Sequence, residues 1–198
     1  VKVRGVSAVL GDKAMRISLA LVSLAAAAAA LAPHPGSAQR ATALAPAFSA
    51  KELAASPTEN WITNGGNVYN QRYSPLALIN KSNVASLKPA WRTHLNGSGS
   101  DSKYSGQGQP LVYDGVIYIP TGANDVFALS ADTGKILWSH EANLDPNITV
   151  ICCGWMSRGV ALGDGTGFSG QLDGKLVALE YASGMGALTH HWNERWRS

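Results

Sequence analysis

Between residues 110 and 138 the apolar and polar positions follow the short period of β-strands, with turn residues at close intervals. Leu111-Val112-Tyr113, Asp114-Gly115 and Val116-Ile117-Tyr118-Ile119 read as a hairpin, because Asp-Gly readily takes the positive φ values of a two-residue turn. Val126 to Leu129 forms the next strand, and Asp132-Thr133-Gly134-Lys135 turns the chain into Ile136-Leu137-Trp138. A tryptophan here is expected to pack between neighbouring sheets rather than to meet a ligand. Upstream, Pro75 and the Asn/Gly punctuation predict turns, and Leu87 to Leu95 can supply an outer strand. The stretch 39–58 is rich in Ala, Pro and Ser and carries one short predicted helix around Ser49 to Ala55. Nothing in this pattern suits a helix bundle.

The strand pattern then recurs. Asp114-Gly115 returns as Asp164-Gly165, Ala128-Leu129 as Ala178-Leu179 and Gly134 as Gly184, an offset of about 50 residues that suits one blade of a β-propeller. Each blade exposes an apolar face that only its neighbours cover, so about two blades leave open flanks and cannot close a ring. The predicted fold class is therefore all-β, a partial β-propeller. The repeat weakens at its end: Ala131-Asp-Thr-Gly-Lys-Ile-Leu-Trp138 becomes Tyr181-Ala-Ser-Gly-Met-Gly-Ala-Leu188, and Thr189 to Ser198 shows neither alternation nor turn chemistry. A frameshift or truncation near Glu180 is the expectation. His190-His191 lacks further placed ligands and is not read as a metal site.

The start of the chain reads as an address. Lys13, Met15 and Arg16 lead into the alanine-rich apolar run from Ile17 to Ala32, followed by Pro33, Pro35 and the small-residue site Gly36-Ser37-Ala38. That is the layout of a secretory signal peptide, with cleavage expected after Ala38. The run falls short of the roughly 20 residues of a spanning helix, so membrane contact is expected through this segment only. It also changes the charge balance. Four of the 16 basic residues and one of the 13 acidic ones precede residue 39, so the net charge of +3 vanishes in the mature chain. A nucleic-acid partner is thereby disfavoured. The expected organisation is a signal peptide over 1–38, a lead-in over 39–59, propeller blades over 60–180 and an atypical tail over 181–198.

The chemistry concentrates in Cys152-Cys153-Gly154-Trp155-Met156-Ser157-Arg158-Gly159. The chain's two cysteines are adjacent. A bond between neighbours closes almost no loop, so stabilisation is a poor reason for one. Such a bond would form a stiff, polarisable, apolar plate for a flat ligand, and the oxidising compartment implied by export permits it. Two free thiols buried as small hydrophobes remain the alternative from the residues alone.

The run from Asn143 to Gly159 resembles the ligand-binding segment of the pyrroloquinoline quinone (PQQ) dependent alcohol dehydrogenases. So does the series Trp61, Gly65-Gly66, Tyr73-Ser74-Pro75, Ile79-Asn80, Asn83-Val84, Leu87, Trp91, which is similar to that family's opening strand. The resemblance implies a Cys152–Cys153 disulfide stacked on the quinone and Arg158 against its oxygens. The family's glutamate, three residues before the proline that opens a strand, falls on Gln107, which keeps hydrogen-bonding shape without negative charge. Calcium ligands and an aspartate base belong to family segments with no counterpart here, so no catalytic or metal residue is assigned. The implied activity is oxidation of a small-molecule alcohol to an aldehyde by hydride transfer to PQQ, with a cytochrome c or quinone as electron acceptor and a periplasmic location. The fragment is expected to be inactive alone. The alternative is a non-catalytic propeller scaffold in envelope protein assembly, which has no use for adjacent cysteines with an arginine five residues on. No Cys-x-x-Cys-His haem attachment site and no nucleotide-binding glycine fingerprint occurs.

Overall fold

The computed structural model describes residues 46–98, 103–149 and 151–191, the last five of these by backbone alone. The signal segment, the start of the lead-in and residues 192–198 of the tail lie outside the described residues.

Two tight turns with matching backbones organise the chain. Asp114 (φ 46°) and Gly115 (φ 74°) are repeated by Asp164 (φ 49°) and Gly165 (φ 73°), the left-handed pair that a two-residue hairpin requires. Around the first turn, β1 (Leu111–Tyr113), β2 (Val116–Pro120), β3 (Val126–Ser130) and β4 (Ile136–His140) form a four-stranded antiparallel sheet in sequential order. Around the second, β5 (Ala161–Gly163), β6 (Thr166–Gly170), β7 (Lys175–Glu180) and β8 (Gly186–His191) repeat it. Even the register shift recurs, between Ala128 and Leu129 in one sheet and Ala178 and Leu179 in the other. Ahead of the sheets, α1 (Ala50–Ala54) is closed by a capping box from Ser49 and Glu52.

The core lies between the two sheets. Leu111, Val116, Tyr118, Val126 and Ala128 from the first meet Val160, Val177, Leu179 and Tyr181 from the second, all buried. Neither sheet buries its apolar face alone, and here each covers the other's. Tyr118 and Tyr181 stack with ring centroids 4.4 Å apart, and burial pushes both phenols well above their ordinary pKa. Among the described residues neither hydroxyl has a hydrogen-bond partner of proper geometry beyond a loose interaction with the other. A buried orphan hydroxyl costs about 1–3 kcal/mol, so Tyr181→Phe should leave stability unchanged or raise it by up to about 1 kcal/mol in urea unfolding. A clear loss would show that the hydroxyl has a partner.

Tryptophans join consecutive blades. The Trp138 indole of β4 donates from Nε1 to the Tyr181 carbonyl at 3.0 Å and rests on Gly184. Trp91 repeats this one blade earlier, donating to the Ala131 carbonyl at 2.8 Å and resting on Gly134. The Leu87 to Leu95 stretch forms no ladder among the described residues, since a strand needs a neighbour to pair with. Beside it the chain exposes Tyr73, Leu76, Leu78, Ile79 and Leu87.

The backbone pattern of the first blade recurs after residue 180. Gly184 donates to the Glu180 carbonyl at 2.8 Å and Glu180 to the Met185 carbonyl at 2.8 Å, as Gly134 and Ser130 do one blade earlier. β8 then pairs with β7 through His191. Backbone hydrogen bonds are indifferent to side chains, so a left-handed glycine at 184 (φ 70°) suffices to turn the chain although Asp, Thr and Lys are gone. What the substitution does remove is the tryptophan: Leu188 occupies the register position of Trp138, opposite Ala178 as Trp138 is opposite Ala128.

Candidate functional site

The long connection from β4 to β5 carries the cysteines. It is shaped by its own polar residues before it touches anything else. Asp145 accepts from the Asn147 backbone N–H at 2.9 Å and closes an Asx turn, and the Trp155 indole reaches back to the Ile148 carbonyl at 3.0 Å. Cys152 and Cys153 are joined by a disulfide and both are exposed. Cys153 (φ 74°) and Gly154 (φ 87°) are successive left-handed residues, and such a conformation at a non-glycine position clusters at functional sites.

Three backbone bonds then lay this connection along the segment 103–109. Trp155 donates to the Lys103 carbonyl at 2.6 Å, Ser105 to the Trp155 carbonyl at 2.8 Å and Gln109 to the Arg158 carbonyl at 3.0 Å. Lys103 holds its ammonium 4.3 Å from the Trp155 ring centroid, and Tyr104 meets the same ring edge-on. Two loops some fifty residues apart in sequence become one surface. Arg158 and Gln107 are both exposed on it. Among the described residues the Arg158 guanidinium makes a weak contact from Nη2 to the Met156 Sδ at 3.9 Å. The Gln107 amide donates to the Ser105 hydroxyl at 3.0 Å.

Gly159 ends the loop against Asn64, whose side chain fills the space a Cβ would take. The neighbouring cavity, about 360 Å³, has apolar walls from Trp61, Pro110 and Val112 with Arg72 and Gln109 at its edge. A second cavity of about 210 Å³ lies on Trp155 and includes Lys103, Asp125 and Glu141. Burial raises the Asp125 carboxyl, opposed by its hydrogen bond from the Ala142 N–H, while burial lowers His140. Among the described residues no group of three or more His, Cys, Asp or Glu is placed to hold a metal.

The sequence reading of the site did not include Asn124, which is fully buried and bonded to the Met156 carbonyl. Aligning the two repeats would have flagged it, since Gly174 occupies the same place one blade on.

A family profile described as PQQ: glucose/ethanol/alcohol dehydrogenase, beta-propeller domain, matches residues 61–190. The quinoprotein alcohol dehydrogenase PedH of Pseudomonas putida is 45% identical over 123 residues, which is 62% of this chain and 20% of that protein. Among solved structures, the quinohemoprotein alcohol dehydrogenase of Comamonas testosteroni superposes with a TM-score of 0.65 at 31% identity, covering 75% of this chain and 22% of its own. A europium-containing methanol dehydrogenase gives 0.62 at 29% identity, covering 71% of this chain and 24% of its own. The chain thus spans between a fifth and a quarter of the length of these relatives.

Proposed function

The chain belongs to the PQQ-dependent glucose/ethanol/alcohol dehydrogenase β-propeller family, and on that premise we propose that its 103–109 and 152–158 loops form part of a PQQ site for alcohol oxidation. The observation that carries this reading is the pair of bonds, Ser105 to Trp155 and Gln109 to Arg158, that bring an exposed disulfide, a guanidinium and an amide onto adjoining loops. Those groups fit a flat, acidic, carbonyl-rich ring. The disulfide presents apolar, polarisable sulfur to a ring face, and Arg158 presents a planar fork of donors to carboxylate or quinone oxygens. Gln107 can donate and accept at the same ring edge, with weaker electrostatics than a carboxylate. PQQ, when bound, would supply the two-electron acceptor that side chains lack.

Arg158 would favour negative charge on the oxygens it faces, and its exposure leaves it free to do so. No general base is assigned to the described residues. Calcium is the proposed cation, and no described residue is given a part in holding it. The wider reading is an exported, periplasmic enzyme cleaved after Ala38, acting on an alcohol and passing electrons to a cytochrome c or quinone. This chain alone is proposed to be inactive. A scaffold function would leave the exposed disulfide without a purpose.

The test is a titration of the oxidised chain with PQQ, following tryptophan fluorescence, because Trp155 lies two residues from the disulfide. Saturable binding is expected, and the double variant Cys152→Ser/Cys153→Ser should lose it. Absence of saturation in the oxidised protein, or equal binding by the double variant, defeats the assignment.

A further inference from the structure

We infer that Asn124 is a positioning residue that holds the loop between Cys153 and Arg158 in shape, an inference that rests on the quinone-site reading above. Its place in the repeat shows that the turn itself does not need it. Thr121 donates to the Asp125 carbonyl at 2.9 Å and Asn124 to the Thr121 carbonyl at 3.0 Å; Gln171 and Gly174 make the same bonds at 2.8 and 3.0 Å in the next blade. The backbone demand is a left-handed residue, φ 68° at Asn124 and 81° at Gly174. Glycine meets that demand without strain, and the second blade uses it. The first blade has a side chain there instead, and buries it completely.

That side chain joins three segments. Its Nδ2 donates to the Gly122 carbonyl at 3.0 Å and to the Met156 carbonyl at 3.2 Å, while its Oδ1 accepts from the Leu172 N–H at 2.8 Å. The reverse amide orientation would set a carbonyl against two carbonyls and an NH₂ against an N–H, so the orientation is fixed by its partners. Met156 lies midway along the loop from Cys153 to Arg158. The strap at Ser105, Trp155 and Gln109 ties this loop to the 103–109 segment, and Asn124 ties it to the turns of both sheets. A loop fixed from two directions keeps the disulfide and the guanidinium in constant relation, which is what a preorganised ligand site requires. Asn124 touches no reacting group. It acts through Met156.

Asn124→Gly is the informative variant because it keeps the left-handed turn, as Gly174 does, and removes only the amide. We expect it to weaken PQQ binding about tenfold, the equivalent of roughly 1.4 kcal/mol, through release of the tie to Met156. Reduction of the Cys152–Cys153 bond by dithiothreitol should also quicken several-fold, a readout that needs no quinone. Val116→Ala, a core truncation at the opposite end of β2, beside the Asp114-Gly115 turn, serves as the control: its thermal midpoint should fall at least as far, with both loop readouts near wild type. Wild-type values in Asn124→Gly, or equal shifts in Val116→Ala, overturn the proposal. Failure of the wild-type chain to bind PQQ would remove the cofactor reading, and the reduction rates would still decide whether Asn124 holds the loop.

Discussion

Arg158→Ala is expected to weaken PQQ binding about 100-fold, since a desolvated, bidentate guanidinium contact contributes roughly 2–3 kcal/mol. Arg158→Lys should recover only part of this, because a point charge replaces a planar fork. The folded state should barely notice either change. The side chain is exposed and among the described residues its polar contact is a weak bond to a sulfur, so the urea midpoint should correspond to a change within about 0.5 kcal/mol. A fluorescence titration and an unfolding curve on the same preparation separate the two effects. Unchanged binding in Arg158→Ala would mean that the position matches the family's motif without performing its task. A large stability loss would mean that the guanidinium supports the loop.

Gly134→Ala should be the most damaging single methyl in the first sheet. The residue sits at φ 69°, where an added Cβ costs about 1 kcal/mol, and that Cβ would enter the Trp91 indole and lie 2.7 Å from the Thr93 Oγ1. Overpacking adds about 1–3 kcal/mol, for a total near 3 kcal/mol by urea unfolding. Gly115→Ala is the matched control. Its φ is 74° but nothing lies within 4 Å of the new atom, so it should cost only the backbone share, about 1 kcal/mol. Equal losses in the two variants would show that the Trp91 seat contributes nothing. The comparison therefore isolates the device that joins one blade to the next.

The hairpins were legible because they depend on local chemistry. Asp114-Gly115 and Asp164-Gly165 can hardly be anything but tight turns, and the strands flanking the first of them follow from alternation. Trp138 was expected between sheets and lies there, its indole against Gly184. The outer strand expected at Leu87 to Leu95 forms no ladder among the described residues, because strand identity belongs to a pair and the sequence of one member cannot supply the other. The tail from Tyr181 reads as atypical from its side chains alone. Its side chains depart from the repeat, but the backbone needs only Gly184 and the edge of β7 to continue through β8.

The site divides along the same line. By itself the sequence determined the propeller repeat, the adjacent cysteines and their spacing to Arg158, because each is a matter of residue type and local order. Only the tertiary structure decided that the Gln107 loop lies against the Arg158 loop, that Trp155 is gripped between Lys103 and Tyr104, and that Asn124 reaches Met156. Those contacts span 32 to 52 positions of chain. They exist because two sheets that cannot bury their apolar faces separately must pack together, and packing them fixes where their loops emerge.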